Sequence, residues 1–307
     1  MRKIAFLFAG QGSQYLGMGS DLLTLTENKA LVDAYPELAE LCLNGPLEKL
    51  NQTRFTQPAL VFMSLLAYNA LIANGIKADI CAGLSLGEYT ACHAGGVFNA
   101  SDVLTIAKQR GTWMEEAIKG IDSKMVAILE TPEEIIQEAI TYALPVGYLA
   151  ISNYNCPGQI VLSGERNAVD TAVAILREKG VRRLIELNVS GPFHTQLLAS
   201  VEEKLSTMFG SIEFHKLNIP LISNLSGSVC EEDQLKANLV QQVSHPVQFT
   251  RTIETLKENG ITTIIEIGPK TVLSGFIKKA KWDVECFHVE DKASLNVTIE
   301  GLKGDSL

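Results

Sequence analysis

Gly83-Leu84-Ser85-Leu86-Gly87 is the stretch on which the reading of this chain turns, with Asp79-Ile80-Cys81-Ala82 ahead of it and Glu88-Tyr89-Thr90-Ala91 behind. The lead-in predicts a short buried strand, and the lead-out predicts the start of a helix. A Gly-x-Ser-x-Gly turn between a strand and a helix is a nucleophile elbow. The requirement is steric. The serine sits at a strained turn, and glycines two residues to either side let strand and helix pack closely. Such a turn pushes the hydroxyl out at the top of a sheet. It also aims the backbone N–H of Leu86 at a developing oxyanion, with the partial positive charge of a helix N-terminus behind it. Small residues are common in turns, so five letters alone could match by chance; the strand-before, helix-after context favours the catalytic reading.

A chain of 307 residues can bury a large core, as one big domain or as a domain with an insert. The net charge of −9 argues against a nucleic-acid partner. Six cysteines (Cys42, Cys81, Cys92, Cys156, Cys230 and Cys286) include no Cys-x-x-Cys pair, and several fall in apolar runs. They read as reduced core residues of a cytoplasmic protein, with no metal site and no disulfide set. Ile4 to Ala9 is too short for a signal-peptide core. The longest apolar stretch, Pro58 to Ile76, carries Ser64, Tyr68, Asn69 and Asn74, which predicts a buried helix and no membrane span.

Residues 3–8 read as a buried parallel strand running into the glycine-dense loop Gly10-Gln11-Gly12-Ser13-Gln14. A dinucleotide-binding loop would need glycine where Tyr15 stands and an acidic residue closing a second strand, and neither is present. The better reading is a loop that brings backbone N–H groups to an active-site mouth, with Gln11 as a second oxyanion donor beside Leu86.

The helix expected over Asp102 to Ile118, with Ser101 as its cap, carries Val103, Ala107, Arg110, Met114 and Ala117 on one stripe. Four are apolar, and the fifth is an arginine. A core-facing arginine needs an anionic partner, because an unpaired buried charge is very costly. That partner is either an internal carboxylate or the carboxylate of a substrate held by a bidentate clamp.

From about residue 124 the pattern becomes β-α-β-β-α-β. Strands are expected over Met125–Leu129, Tyr148–Tyr154, Gln159–Ser163 and Arg182–Leu187, with one helix capped by Thr131 and another over Asn167–Lys179. That order is the ferredoxin-like unit. Residues 124–188 are therefore expected to form a small insert in a large α/β domain made of residues 1–123 and 189–307, whose alternating strands and helices imply a covered parallel sheet. After the insert comes Ser190-Gly191-Pro192-Phe193-His194, expected to precede a helix from Thr195 to Met208. A serine nucleophile needs a base, and His194 is the histidine at a strand-to-helix loop. Residues 218–224 are expected to form a further strand, the apolar helix is expected to begin at Gln57-Pro58, and helices are expected over residues 86–94, ended by Gly95-Gly96, and over Val272 to Lys279, after Gly268-Pro269.

Four segments, Gly10-Gln11-Gly12-Ser13-Gln14, Gly83 to Glu88, Gln109-Arg110-Gly111 and Gly191-Pro192-Phe193-His194, occur together in order. With Asn153 to Val161 and Glu266-Ile267-Gly268-Pro269, the chain resembles, over nearly its whole length, the malonyl-CoA:acyl-carrier-protein transacylases of bacterial fatty-acid synthesis. The resemblance implies an α/β-hydrolase-like large domain and a ping-pong transfer. Ser85 would be the nucleophile and His194 the base. Gln11 and Leu86 would form the oxyanion hole, and Arg110 would hold the malonyl carboxylate, with Met114 and Phe193 beside the substrate. Phe193 would exclude an α-methyl branch, and Gln248 would orient His194 through a backbone carbonyl. No cofactor is implied; malonyl-CoA is the substrate and the holo acyl carrier protein the partner of a cytoplasmic monomer. One departure is Leu84, where the family usually has histidine. Alternatives are a stand-alone acyltransferase serving a polyketide synthase, a serine esterase, and a non-catalytic carrier-docking module.

Overall fold

The structure, a computed structural model, describes residues 2–187 and 191–303. Ser190 and the expected insert boundary at 188–189 lie outside the described residues.

The central sheet is made of β1 (Ile4–Phe8), β2 (Ile80–Gly83), β8 (Thr263–Ile267) and β9 (Glu285–Val289). It is parallel throughout and runs β2-β1-β8-β9. Every residue of β2 and β8 is buried, as expected of strands covered on both faces. Residues 218–224 do not form the expected strand. Leu221 and Ile222 make isolated bridges only, clasping Cys81 at the sheet edge. Pro220 has no N–H with which to extend a ladder, and Asn224 is turned into the elbow instead.

Between β1 and β2 lie three short helices, α1 (Lys29–Ala34), α2 (Pro36–Asn44) and α3 (Leu47–Leu50), and the long α4 (Thr53–Ala73). Helix α4 starts four residues before Gln57. Pro58 is accommodated near its start, where it removes only the bond that would reach back to residue 54. It is the one helix among the described residues long and apolar enough to cross a membrane, and it is mostly buried inside the protein. Helix α5 (Leu86–Ala94) follows the elbow, and α6 (Ala100–Ala117) packs on α4. At that crossing a Cβ on Gly111 would lie 2.6 Å from the Thr53 carbonyl oxygen, so the helices touch at backbone distance. The cap of α6 is Asn99, which accepts from the Asp102 N–H, rather than Ser101.

The second sheet holds β3 (Ser123–Leu129), β4 (Leu149–Cys156), β5 (Gln159–Glu165), β6 (Leu184–Glu186) and the two-residue β7 (Val247–Gln248), in the order β6-β3-β5-β4-β7. Helices α7 (Glu133–Ala143) and α8 (Arg166–Glu178) pack against each other and bury Ile136, Ile140, Val169 and Leu176 with the inner faces of these strands. Thr131 does not cap α7; its hydroxyl donates to the Leu129 carbonyl, and Pro132 holds the cap position. The sheet is not closed within the expected insert. Its fifth strand comes from residues far downstream and runs parallel to β4.

The chain then forms α9 (Ala199–Phe209), α10 (Leu235–Gln241), α11 (Phe249–Glu258), α12 (Val272–Lys279) and, after β9, α13 (Lys292–Lys303). Neither α10 nor α13 was anticipated from the sequence. All six cysteines are free thiols; five are buried and Cys286 is exposed.

Candidate active site

Ser85 caps the sheet where β2 turns into α5, with φ 53° and ψ −106°, a conformation that strains any side chain. The neighbouring glycines make the turn possible. A Cβ on Gly83 would lie 2.1 Å from the Gly87 carbonyl carbon, and one on Gly87 would lie 2.1 Å from the Phe8 oxygen. Asn224 locks the turn from the far side. Its Oδ1 accepts the Ser85 N–H at 2.6 Å, and its Nδ2 donates to the Gly83 carbonyl at 2.6 Å.

His194 reaches this hydroxyl across 109 residues of chain, with Nε2 2.7 Å from Ser85 Oγ. Its Nδ1 lies 2.8 Å from the Gln242 carbonyl oxygen. A carbonyl can only accept, so Nδ1 carries the proton and Nε2 is free to receive one from the serine. The orienting carbonyl is therefore that of Gln242 and not that of Gln248. Gln248 is engaged in β7, where its carbonyl accepts from Thr252. Burial, reinforced by the nearby Arg110 charge, pushes His194 down from 6.5 to about 4, so the imidazole is neutral around pH 7.

Arg110 is 1% exposed and sits behind the serine, its NH2 3.5 Å from Ser85 Oγ. No carboxylate forms an ion pair with it among the described residues, contrary to the structural half of the expectation. Its partners are neutral amide oxygens: Gln57 Oε1 at 3.0 Å from NH1 and Gln242 Oε1 at 2.8 Å from NH2. The guanidinium carbon lies 5.2 Å from the centre of the Tyr89 ring, and Nε has no partner. Met114 does not reach the cleft. It is buried behind Gln57, whose Nε2 donates to its sulfur at 3.2 Å.

A cleft of about 370 Å³ opens above Ser85 between the two sheets. Gln11, Leu84, Phe193 and His194 line it on one side, and Asn153, Asn155 and Gln159 from β4 and β5 on the other. Leu84 thus presents an apolar wall where the resemblance leads one to expect a histidine. The Gln11 loop is pinned close to the elbow, since a Cβ on Gly10 would lie 2.5 Å from the Leu84 oxygen. Neither the Gln11 nor the Leu86 backbone N–H donates to another group among the described residues, so both are available to an anionic oxygen.

Three polar residues that sequence reasoning passed over bind these parts together: Gln57, Asn224 and Gln242. Gln242 contributes most, since its carbonyl fixes His194 while its amide bonds Arg110, the Ser85 carbonyl (2.8 Å) and Glu88 (2.7 Å). Gln57 carries a signal, as a polar residue at the head of the long apolar run, whereas Gln242, between Gln241 and Val243-Ser244-His245, carries none.

A strained serine paired with a neutral histidine, next to two unused backbone donors, defines a protein built for acyl transfer through an ester intermediate. The sequence profile of the acyl transferase domain matches residues 5–291, and the chain belongs to that family. It is 38% identical to the malonyl CoA-acyl carrier protein transacylase of Bacillus subtilis, over 100% of this chain and 99% of that one. A polyketide biosynthesis malonyl CoA-acyl carrier protein transacylase of Bacillus velezensis is 35% identical, over 92% and 98% of the two chains. The crystal structure of MCAT from Streptococcus pneumoniae superposes with a TM-score of 0.92 at 43% identity, covering 97% of this chain and 100% of that one.

Proposed function

We propose that this protein transfers the malonyl group of malonyl-CoA to the phosphopantetheine thiol of holo acyl carrier protein, supplying fatty-acid elongation in the cytoplasm. The observation that carries this reading is the position of Ser85 Oγ, between the His194 base at 2.7 Å and the Arg110 guanidinium at 3.5 Å. In the first half-reaction His194 Nε2 takes the serine proton as Oγ attacks the thioester carbonyl. The oxyanion is received by the Gln11 and Leu86 N–H groups, and coenzyme A departs as a thiol with the proton returned by His194. In the second, His194 deprotonates the carrier thiol, which attacks the malonyl-serine ester and frees Oγ. A carbonyl behind the imidazole suffices to fix its tautomer, so no buried acid is required.

Arg110 selects the substrate. Among the described residues no carboxylate bonds the buried guanidinium directly, and a malonyl carboxylate supplies that partner by bidentate pairing. This favours acyl transfer over general ester hydrolysis. Phe193, buried at the cleft wall, supports exclusion of an α-branched acyl group. We read residues 124–188 as a ferredoxin-like insert on a hydrolase-like large domain. The sheet order β6-β3-β5-β4 with α7 and α8 on one side supports it, and the chain is taken to act as a monomer without bound cofactor. The likeness to the polyketide transacylase supports a second reading in which the carrier belongs to a polyketide synthase. Initial rates with malonyl-CoA and holo carrier both varied should give parallel double-reciprocal lines, as a ping-pong exchange requires. Intersecting lines would refute the ester intermediate.

A further inference from the structure

Glu88 is fully buried one turn beyond the nucleophile, and the steps above make no use of it. Three donors converge on its carboxylate. Gln242 Nε2 reaches Oε2 at 2.7 Å, the Asn224 N–H reaches Oε1 at 3.1 Å, and the Ser223 side chain also bonds it. Two of these residues are the ones that hold the site in shape. Asn224 clamps the Ser85 N–H and the Gly83 carbonyl. Gln242 holds Arg110, the Ser85 carbonyl and, through its backbone, His194.

Resting on the acyl-transfer reading, we propose that Glu88 is a positioning residue that sets the side-chain orientation of Gln242 and thereby aims Arg110 at the acyl group bound to Ser85. A primary amide has one donating and one accepting end. The Ser85 carbonyl and an ionised Glu88 oxygen are both acceptors, so only the Gln242 nitrogen satisfies them. Its oxygen is then forced toward Arg110 NH2. Burial pushes Glu88 up from 4.5 to about 7, so both forms are present near neutral pH, and the ionised form faces the two donors, Gln242 Nε2 and the Asn224 N–H, with acceptors alone.

The isosteric change Glu88→Gln removes that property without changing size. If the new oxygen faces Gln242, the new NH2 meets the Asn224 N–H and loosens the elbow. If the new oxygen faces Asn224, the new NH2 drives Gln242 to flip, and the Gln242 nitrogen then confronts Arg110 and abandons the Ser85 carbonyl. Either outcome misplaces the parts that receive malonate.

The test measures acyl loading of Ser85 by intact mass, from malonyl-CoA and from acetyl-CoA, in wild type and E88Q. Misalignment on the ångström scale costs about a hundredfold in rate, so the malonyl-to-acetyl preference of E88Q should fall about tenfold or more. Equal loss for both acyl groups, or an unchanged ratio, would overturn the proposal. In a Gln242→Met background the further change E88Q should leave the ratio where Q242M alone puts it, because the two residues act through one contact; additive losses contradict this. If E88Q does not fold, Q242M alone must still lose the preference. Labelling of Ser85 by a fluorophosphonate needs neither an acyl donor nor Arg110, and should slow less in E88Q than malonyl loading does. That arm separates the two claims. Wild type that labels but takes no malonyl refutes the proposed function, whereas E88Q that labels and keeps the wild-type malonyl-to-acetyl ratio refutes the role of Glu88.

Discussion

His194 is suited to act as a base because its surroundings refuse it a charge. Burial first, and then the Arg110 cation, bring it from 6.5 down to about 4. The neutral, competent form therefore persists well below neutrality. The kcat/KM for acetyl loading, which does not call on Arg110, should stay level from pH 7 to about 5 and fall with a midpoint about 4, the free-enzyme value. A midpoint near 6.5 in a pH profile taken by rapid mixing would contradict the burial. The same shift has a sign for stability. Between 6.5 and about 4 the unfolded chain binds a proton at this histidine and the folded one does not, so stability falls as pH drops through that window. His194→Gln should flatten that part of a denaturation-versus-pH curve. For Arg110→Ala, the loss of two charge-assisted bonds at about 1.5–3 kcal/mol each predicts malonyl loading slower by about a hundredfold or more, with acetyl loading little reduced. Equal effects on both acyl groups would deny the clamp. At this scale the sequence was generous with side chains that react and silent about those that hold them. Ser85, His194 and Arg110 announce themselves by residue type and context. The orienting carbonyl has no side-chain signature, which is why it was sought at Gln248 and found six residues earlier at Gln242.

The elbow is an element defined by what cannot be added to it. Gly83→Ala and Gly87→Ala each force a Cβ to 2.1 Å from backbone atoms, which no side-chain rotation relieves. Both variants should be severely destabilised or insoluble. Gly275 offers a contrast in α12, with open space around the added atom and no left-handed backbone. Gly275→Ala should raise stability by about 0.5–1 kcal/mol through helix propensity, read from chemical denaturation. At the start of α6, Asn99→Ala should cost about 1 kcal/mol and Ser101→Ala close to nothing, because only Asn99 bonds a free helix N–H. The helices bounded by strong punctuation, α5 before Gly95-Gly96 and α12 after Gly268-Pro269, were legible to the residue. The cap of α6 was misplaced by two residues because Asn99 and Ser101 are both good caps on paper. Helix α10 leaves little signal because it is short and lies in a polar segment, and Pro58, seated inside the second turn of α4, mimics a first-turn proline and hides the true start at Thr53.

Over the whole molecule, the two sheets are separate in hydrogen bonding yet share the cleft. Strand β7 pairs Val247 and Gln248 with Asn153 and Tyr154 of β4. The second sheet therefore has an edge completed by a strand from far downstream. The order of its strands was readable from alternation and turn residues, but a two-residue partner lying about ninety positions downstream leaves no local pattern. That shared edge predicts one cooperative unfolding transition, with equal calorimetric and van't Hoff enthalpies. Two resolved transitions in a calorimetric scan would mean the insert stands alone.

All of these scales meet at one covalent bond. The most direct measurement is the intact mass of the protein after mixing with malonyl-CoA, followed by peptide mapping. A single malonyl group on Ser85, absent from Ser85→Ala and discharged by holo acyl carrier protein, is the predicted result. An unmodified chain, or an adduct anywhere but Ser85, would contradict the account at its centre.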